Sequence, residues 1–85
     1  MQLPMISLTL LSRSYCHLCD EMASKLAPLL AAFDASLEVI DIDQHPHLEA
    51  QYGERVPVLL HGDLVLSSFV LDAEKVRRYL SLRKC

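Results

Sequence analysis

The sequence predicts an α/β fold in which a four-stranded mixed sheet is flanked by helices, with elements in the order β-α-β-α-β-β-α. Three observations predict it. A nearly continuous apolar run at residues 5–11 gives way, from Cys16 on, to apolar residues at helical spacing. A second β-like run at 37–42 follows that helix, which makes a β-α-β unit with parallel strands. Two further short runs, 56–60 and 64–68, flank His61-Gly62-Asp63, a hairpin signal, ahead of a last helix. The expected strand order is 2-1-3-4, with the third and fourth strands antiparallel to their neighbours. At 85 residues the chain holds one domain, 1–85, with a single core.

Met5-Ile6-Ser7-Leu8-Thr9-Leu10-Leu11 is nearly continuous in apolar character and reads as a strand central in its sheet. The helix that follows runs to about Ala35. Met22, Leu26, Leu29, Leu30 and Phe33 fall at i, i+4, i+7, i+8 and i+11 and mark its buried face. Pro28 lies inside this run and removes one backbone donor, which predicts a kink across 24–28. Leu37-Glu38-Val39-Ile40-Asp41-Ile42 alternates and reads as the second strand. Pro46 at the first helical position and Gly53 at the C-terminal cap bound a short helix over 46–52. Val56-Pro57-Val58-Leu59-Leu60 and Leu64-Val65-Leu66-Ser67-Ser68 supply the hairpin. Asp72 caps the last helix, with Glu74 and Lys75 in its first turn and Val76, Tyr79, Leu80 and Leu82 on its buried face.

Composition narrows the function. The chain is 52% hydrophobic with two glycines, which suits a packed core and excludes a disordered segment. The net charge is −3 and the eight basic residues are scattered, so no basic patch invites nucleic acid. No apolar run approaches the roughly 20 residues of a membrane span. Met1-Gln2-Leu3-Pro4-Met5 carries neither a positive n-region nor a small-residue cleavage site, so a cytoplasmic location is expected. There, a CxxC is catalytic or metal-binding more often than structural.

Cys16-His17-Leu18-Cys19 is that motif, placed between the first strand and the first helix. A helix N-terminus presents unpaired N–H groups that favour a thiolate, the nucleophilic form of cysteine. Cys16, at or beside the N-cap, is therefore the expected attacking thiol, and Cys19, one turn further in and more buried, the expected resolving thiol. A zinc site is the first alternative, but it needs two more ligands. His17, His45, His47, His61 and Cys85 show no second CxxC or HxxxH spacing, so no metal ligands are assigned. The second alternative is a binding module in which the CxxC performs no chemistry. His17, as an imidazolium beside Cys16, would favour the thiolate; otherwise it is a solvent-facing helix residue. Cys85, at the end of the sequence, reads as an exposed free thiol.

With this order of elements and a CxxC at the first helix start, the chain resembles the thioredoxin superfamily, and most closely its glutaredoxin-like branch. The resemblance covers essentially all 85 residues and is carried by Ser12-Arg13-Ser14-Tyr15-Cys16-His17-Leu18-Cys19 and by Val56-Pro57. Glutaredoxins have a basic residue three positions before the first cysteine, where Arg13 stands, and a Val-Pro with a cis peptide bond opposite the active site. The resemblance thus implies a thioredoxin-like fold and a thiol–disulfide oxidoreductase serving electron transport and cell redox homeostasis. Its substrate groove would include Arg13, Tyr15, His17, Val56 and Pro57. A cis Val56-Pro57 bond would expose the backbone of Val56 for pairing with an extended substrate. The implied partners are protein or glutathione mixed disulfides, with glutathione or a thioredoxin-reductase-like donor as reductant, and the expected working form is a monomer with no tightly bound cofactor. Two departures stand out. Glutaredoxins follow the last strand with Gly-Gly, a small residue and Asp, which hold the γ-glutamyl end of glutathione, whereas this chain reads Leu66-Ser67-Ser68-Phe69-Val70-Leu71-Asp72. Arg55 also replaces the threonine common before Val-Pro, so the usual glutathione clamp is missing.

Overall fold

A computed structural model describes residues 6–83. Met5, at the start of the first predicted strand, and Cys85 lie outside the described residues. Strands β1 (Ile6–Ser12), β2 (Ala35–Asp41), β3 (Val58–His61) and β4 (Leu64–Ser68) form one sheet in the order β2-β1-β3-β4. β1 pairs with β2 in parallel, and the β1–β3 and β3–β4 pairs are antiparallel, as the pattern predicts. Helix α1 (His17–Phe33) makes the crossover between β1 and β2. A 3₁₀ turn (Ile42–Gln44) and α2 (Pro46–Tyr52) lead to β3, and α3 (Ala73–Arg83) follows β4.

The sheet divides the expected single core into two apolar clusters. Along a strand, alternate side chains point to opposite faces. Ile6, Leu8 and Leu10 therefore pack with Leu59 and Leu66 against Met22 and Leu26 of α1 and Val76 and Leu80 of α3. Leu11, Val58 and Leu60 face the other way and pack with Ile42 and with Tyr52 of α2. β1 alternates from Ile6 to Leu10, with Ser7 exposed and Thr9 half-buried, and Leu11 is the β1 residue buried on the α2 face.

Some boundaries and faces differ from the expectation. α1 ends at Phe33, with Asp34 as a left-handed C-cap at φ 53°, so Ala35 begins β2 instead of ending the helix. Aspartate enters that conformation more readily than most residues, which lets the chain turn directly into the strand. Assigned helix continues through Pro28 without interruption. β2 stops at Asp41 because the Asp41 side chain accepts from the Asp43 N–H at 2.9 Å and opens the 3₁₀ turn, taking Ile42 out of the strand. β3 begins at Val58, two residues later than the apolar run. Leu82 is 76% exposed, whereas Val76 and Leu80 carry the buried stripe of α3.

α2 and its cap lie where expected, but Gly53 adopts ordinary right-handed angles (φ −53°). A Cβ there would sit 2.5 Å from the Glu49 carbonyl oxygen, so close approach, not φ, calls for glycine. In the β3–β4 hairpin, Gly62 at φ +62° supplies the positive angle that a two-residue turn needs.

Candidate functional site

The C-terminal end of β1 delivers the chain to the site through residues 13–16. Cys16 has extended angles (φ −100°, ψ 103°) and is the N-cap of α1, and its sulfur accepts a hydrogen bond from the Cys19 N–H at 3.2 Å. Such a bond satisfies one of the donors that a helix start leaves open, and it offers the same stabilisation to a thiolate. Cys16 and Cys19 are joined as a disulfide, with Cα atoms 5.2 Å apart. Cys19 is only 4% exposed, while Cys16 is half-buried, so a partner reaches Cys16 first.

The loop ahead of Cys16 is tied to the elements after β2. The Ser14 hydroxyl donates to Asp41 at 3.3 Å. Arg13 donates from Nε to Asp43 at 3.0 Å and from Nη1 to the Gly53 carbonyl at 3.3 Å, and its Nη2 lies 3.6 Å from Glu49. The guanidinium expected in the substrate groove is thus engaged with the 3₁₀ turn and α2, which makes it a brace for the loop. Asp41, Asp43 and Glu49 were not singled out from the sequence. Their signal is the acidic character of 41–49, but their partners lie some 30 residues away. Tyr15 has φ 60° and is fully solvent-exposed at 105%. The His17 side chain is 87% exposed and its Nε2 lies 3.5 Å from Glu21, one turn along the helix.

The Val56-Pro57 bond is cis. Leu11 of β1 pairs with Val58, so Pro57 sits at the same end of the sheet as Ser12 and the loop to Cys16. Pro57 is buried, and Val56 packs against the cluster on the α2 side. The Pro57 carbonyl accepts from the Phe69 N–H at 2.9 Å, which joins the segment after β4 to the proline. Phe69 in turn lines a small cleft with Val70, Leu71, Met22 and Leu18, the residue that precedes Cys19, flanked by Glu21 and Lys25. Phe69 thus hydrogen-bonds to Pro57 and shares a cleft with Leu18 of the CxxC.

Ser67 is the buried polar residue of this region: its hydroxyl accepts from the Asp72 N–H at 3.1 Å and closes the loop between β4 and α3. His61, assigned no role from sequence, hydrogen-bonds through Nδ1 with the Tyr79 hydroxyl, away from the cysteines. No group of three or more His, Cys, Asp or Glu among the described residues is arranged to hold a metal ion. No helix among them is long and apolar enough to cross a membrane.

Comparison with known proteins gives one family. Residues 7–81 match the family described as glutaredoxin-like domain (DUF836). An uncharacterized protein of Mycobacterium tuberculosis is 32% identical over 73 residues, 80% of this chain and 75% of that one. The solution structure of protein Ne2328 from Nitrosomonas europaea is 37% identical and superposes with a TM-score of 0.79, covering 93% of this chain and 95% of its own. Thioredoxin 1 of Thermosipho africanus shares the fold at 23% identity, with a TM-score of 0.61 over 91% of this chain and 97% of its own.

Proposed function

The chain belongs to the glutaredoxin-like domain family, and from that premise we propose that it is a dithiol thiol–disulfide oxidoreductase that reduces protein or glutathione mixed disulfides. The observation that carries this is the asymmetry of the pair. Cys16 caps the helix, holds the Cys19 N–H and is reachable; Cys19 is buried one turn away and already bonded to it.

In the proposed cycle, the Cys16 thiolate attacks one sulfur of a partner disulfide. An S–S bond forms between Cys16 and that sulfur as the partner's own S–S bond breaks, and the other partner sulfur leaves as a thiolate. Cys19, as a thiolate, then attacks Cys16, releasing the second partner thiol and closing the Cys16–Cys19 disulfide. Two electrons pass from the dithiol to the partner. Two equivalents of glutathione, or a thioredoxin-reductase-like donor, return the pair to the dithiol. Tyr15, His17, Val56 and Pro57 border the reacting sulfur in this reading, with the Val56 backbone offered to an extended partner segment. Arg13 acts by holding the loop.

The test is exchange by purified variants. Cys16→Ser should abolish disulfide reduction, whereas Cys19→Ser should accumulate a mixed disulfide at Cys16, visible as an added mass. Faster alkylation of Cys19 than of Cys16 at neutral pH would reverse the assigned roles. Reduction of insulin with glutathione, compared with thioredoxin reductase as electron source, identifies the donor.

A further inference from the structure

Phe69 is held in a γ-turn. The Val70 N–H donates to the Ser68 carbonyl at 2.7 Å, and Phe69 between them has φ 65°. That turn is uncommon and strained for any residue with a side chain, and backbone strain of this kind collects where a side chain is being presented for a purpose. The turn leaves the Phe69 ring about half exposed beside Val70 and Leu18, which are also exposed. Seven large apolar side chains are exposed among the described residues. Leu18, Phe69 and Val70 border the same cleft and Tyr15 precedes Cys16, whereas Val39, Leu64 and Leu82 are scattered over the two outer strands and α3. Four of the seven thus lie on this cleft or next to Cys16 in sequence.

The shape of the cleft selects among occupants. It encloses about 20 Å³, near the space of one water, against the roughly 300–1,000 Å³ of small-molecule sites. It is no preformed pocket for a tripeptide; what it offers is an exposed apolar rim of Leu18, Phe69 and Val70 against which a side chain packs from outside. The chemistry at Cys16 fixes which side chain arrives. Once a partner sulfur is bonded there, neighbouring residues of an extended partner segment lie within about 3.3–3.6 Å per residue of it. Leu18 lies between the two cysteines in sequence and shares the cleft with Phe69, so a residue beside the partner's cysteine would meet this apolar rim first.

We infer that the apolar rim of the cleft, Leu18, Phe69 and Val70, is a specificity element against which an apolar residue flanking the reactive cysteine of an extended protein segment packs, in preference to glutathione. The inference rests on the exchange reaction proposed above. It accounts for a phenylalanine at a backbone angle that glycine fits best.

Two peptide disulfides that differ only in leucine or serine beside the reactive cysteine, together with oxidised glutathione, test it. Reduced wild-type protein should consume the leucine peptide about tenfold faster than either of the others, the discrimination that a small apolar contact supports. In Phe69→Gly, which glycine's freedom at positive φ keeps folded, the leucine-to-serine ratio should fall toward one. In Val39→Thr, an exposed apolar residue on β2, the ratio should stay at its wild-type value. Equal wild-type rates, or an unchanged ratio in Phe69→Gly, would overturn the inference. A second measurement does not depend on exchange. Titrating the oxidised protein with the leucine peptide carrying serine for cysteine should give saturable amide shifts at Leu18, Phe69 and Val70. Shifts there without any disulfide exchange would sink the oxidoreductase reading and leave the docking surface standing; exchange without those shifts would do the reverse.

Discussion

Tyr15 and Phe69 share an unusual conformation. Both are aromatic, both are exposed and both have positive φ; Tyr15 precedes Cys16, and Phe69 shares a cleft with Leu18. A left-handed angle costs an ordinary residue on the order of 1–2 kcal/mol, and asparagine tolerates it better than tyrosine. The Tyr15 side chain is fully exposed, so replacing it removes no burial. Tyr15→Asn should therefore raise stability by about 0.5–1 kcal/mol, read as a higher urea midpoint, while slowing reduction of peptide disulfides. A variant that loses stability would show that the tyrosine makes contacts in solution that offset its backbone cost. The CxxC itself was legible because its meaning is local: two thiols at helical spacing after a strand. The left-handed angle at Tyr15 was not, since aromatic residues carry no signal for it. The bracing of Arg13 was equally hidden, because Asp43 and Gly53 reach it from 30 and 40 residues along the chain.

Elements were legible wherever a periodic pattern coincided with a punctuating residue. Pro46 and Gly53 bound α2 as expected, and Asp72 caps α3 by accepting from the Lys75 N–H at 3.1 Å. Asp72→Ala should cost about 1 kcal/mol, and Asp72→Asn, which keeps the acceptor, should recover most of it in chemical denaturation. Faces were harder to read. Leu82 continues the apolar spacing of α3 yet is exposed, because Val76 and Leu80 already cover the sheet beneath them. β2 alternates in sequence but lies at the sheet edge and carries Val39 outward, a position that strand order decides and alternation alone does not. On the first turn of α3, Glu74 is paired with Arg77, whose hydrogen bond and then charge hold the Glu74 carboxyl below its ordinary range. A depressed carboxyl contributes stability that is present above its unfolded-state pKa and is lost as pH falls through the folded-state value. The difference in urea midpoint between wild type and Arg77→Gln should thus exist near neutral pH and close in acid, below the ordinary glutamate range. A gap that persists at the lowest pH would assign it to helix propensity instead of the ion pair.

At the scale of the molecule, two clusters on opposite faces of one sheet hold the fold, and the disulfide lies at the sheet's end, where residues 13–16 leave β1. Leu8, Leu10, Leu59, Leu66, Val76 and Leu80 are essentially inaccessible to solvent and span three strands and α3. None of these six side chains belongs to the CxxC segment, so the core is built from residues outside it. The disulfide closes a loop with a sequence separation of 3, and the chain-entropy stabilisation of so small a loop is about 2 kcal/mol at most. Reduction removes that constraint and leaves the Cys16 sulfur at the helix N-cap, within reach of the Cys19 N–H, where the thiolate of the proposed cycle would gain an interaction of comparable size and opposite effect. The two terms leave the oxidised and reduced proteins within about 2 kcal/mol of each other, which is the condition for a pair that cycles without unfolding its host. Urea denaturation with and without excess dithiothreitol should therefore give two cooperative transitions with similar midpoints and nearly equal slopes. By linkage, the gap between them measures how far the folded state displaces the pair's redox equilibrium from that of the unfolded chain. If reduction alone collapsed the fold, the Cys16–Cys19 bond would be a structural staple, and the exchange cycle built on it would have no folded dithiol from which to start.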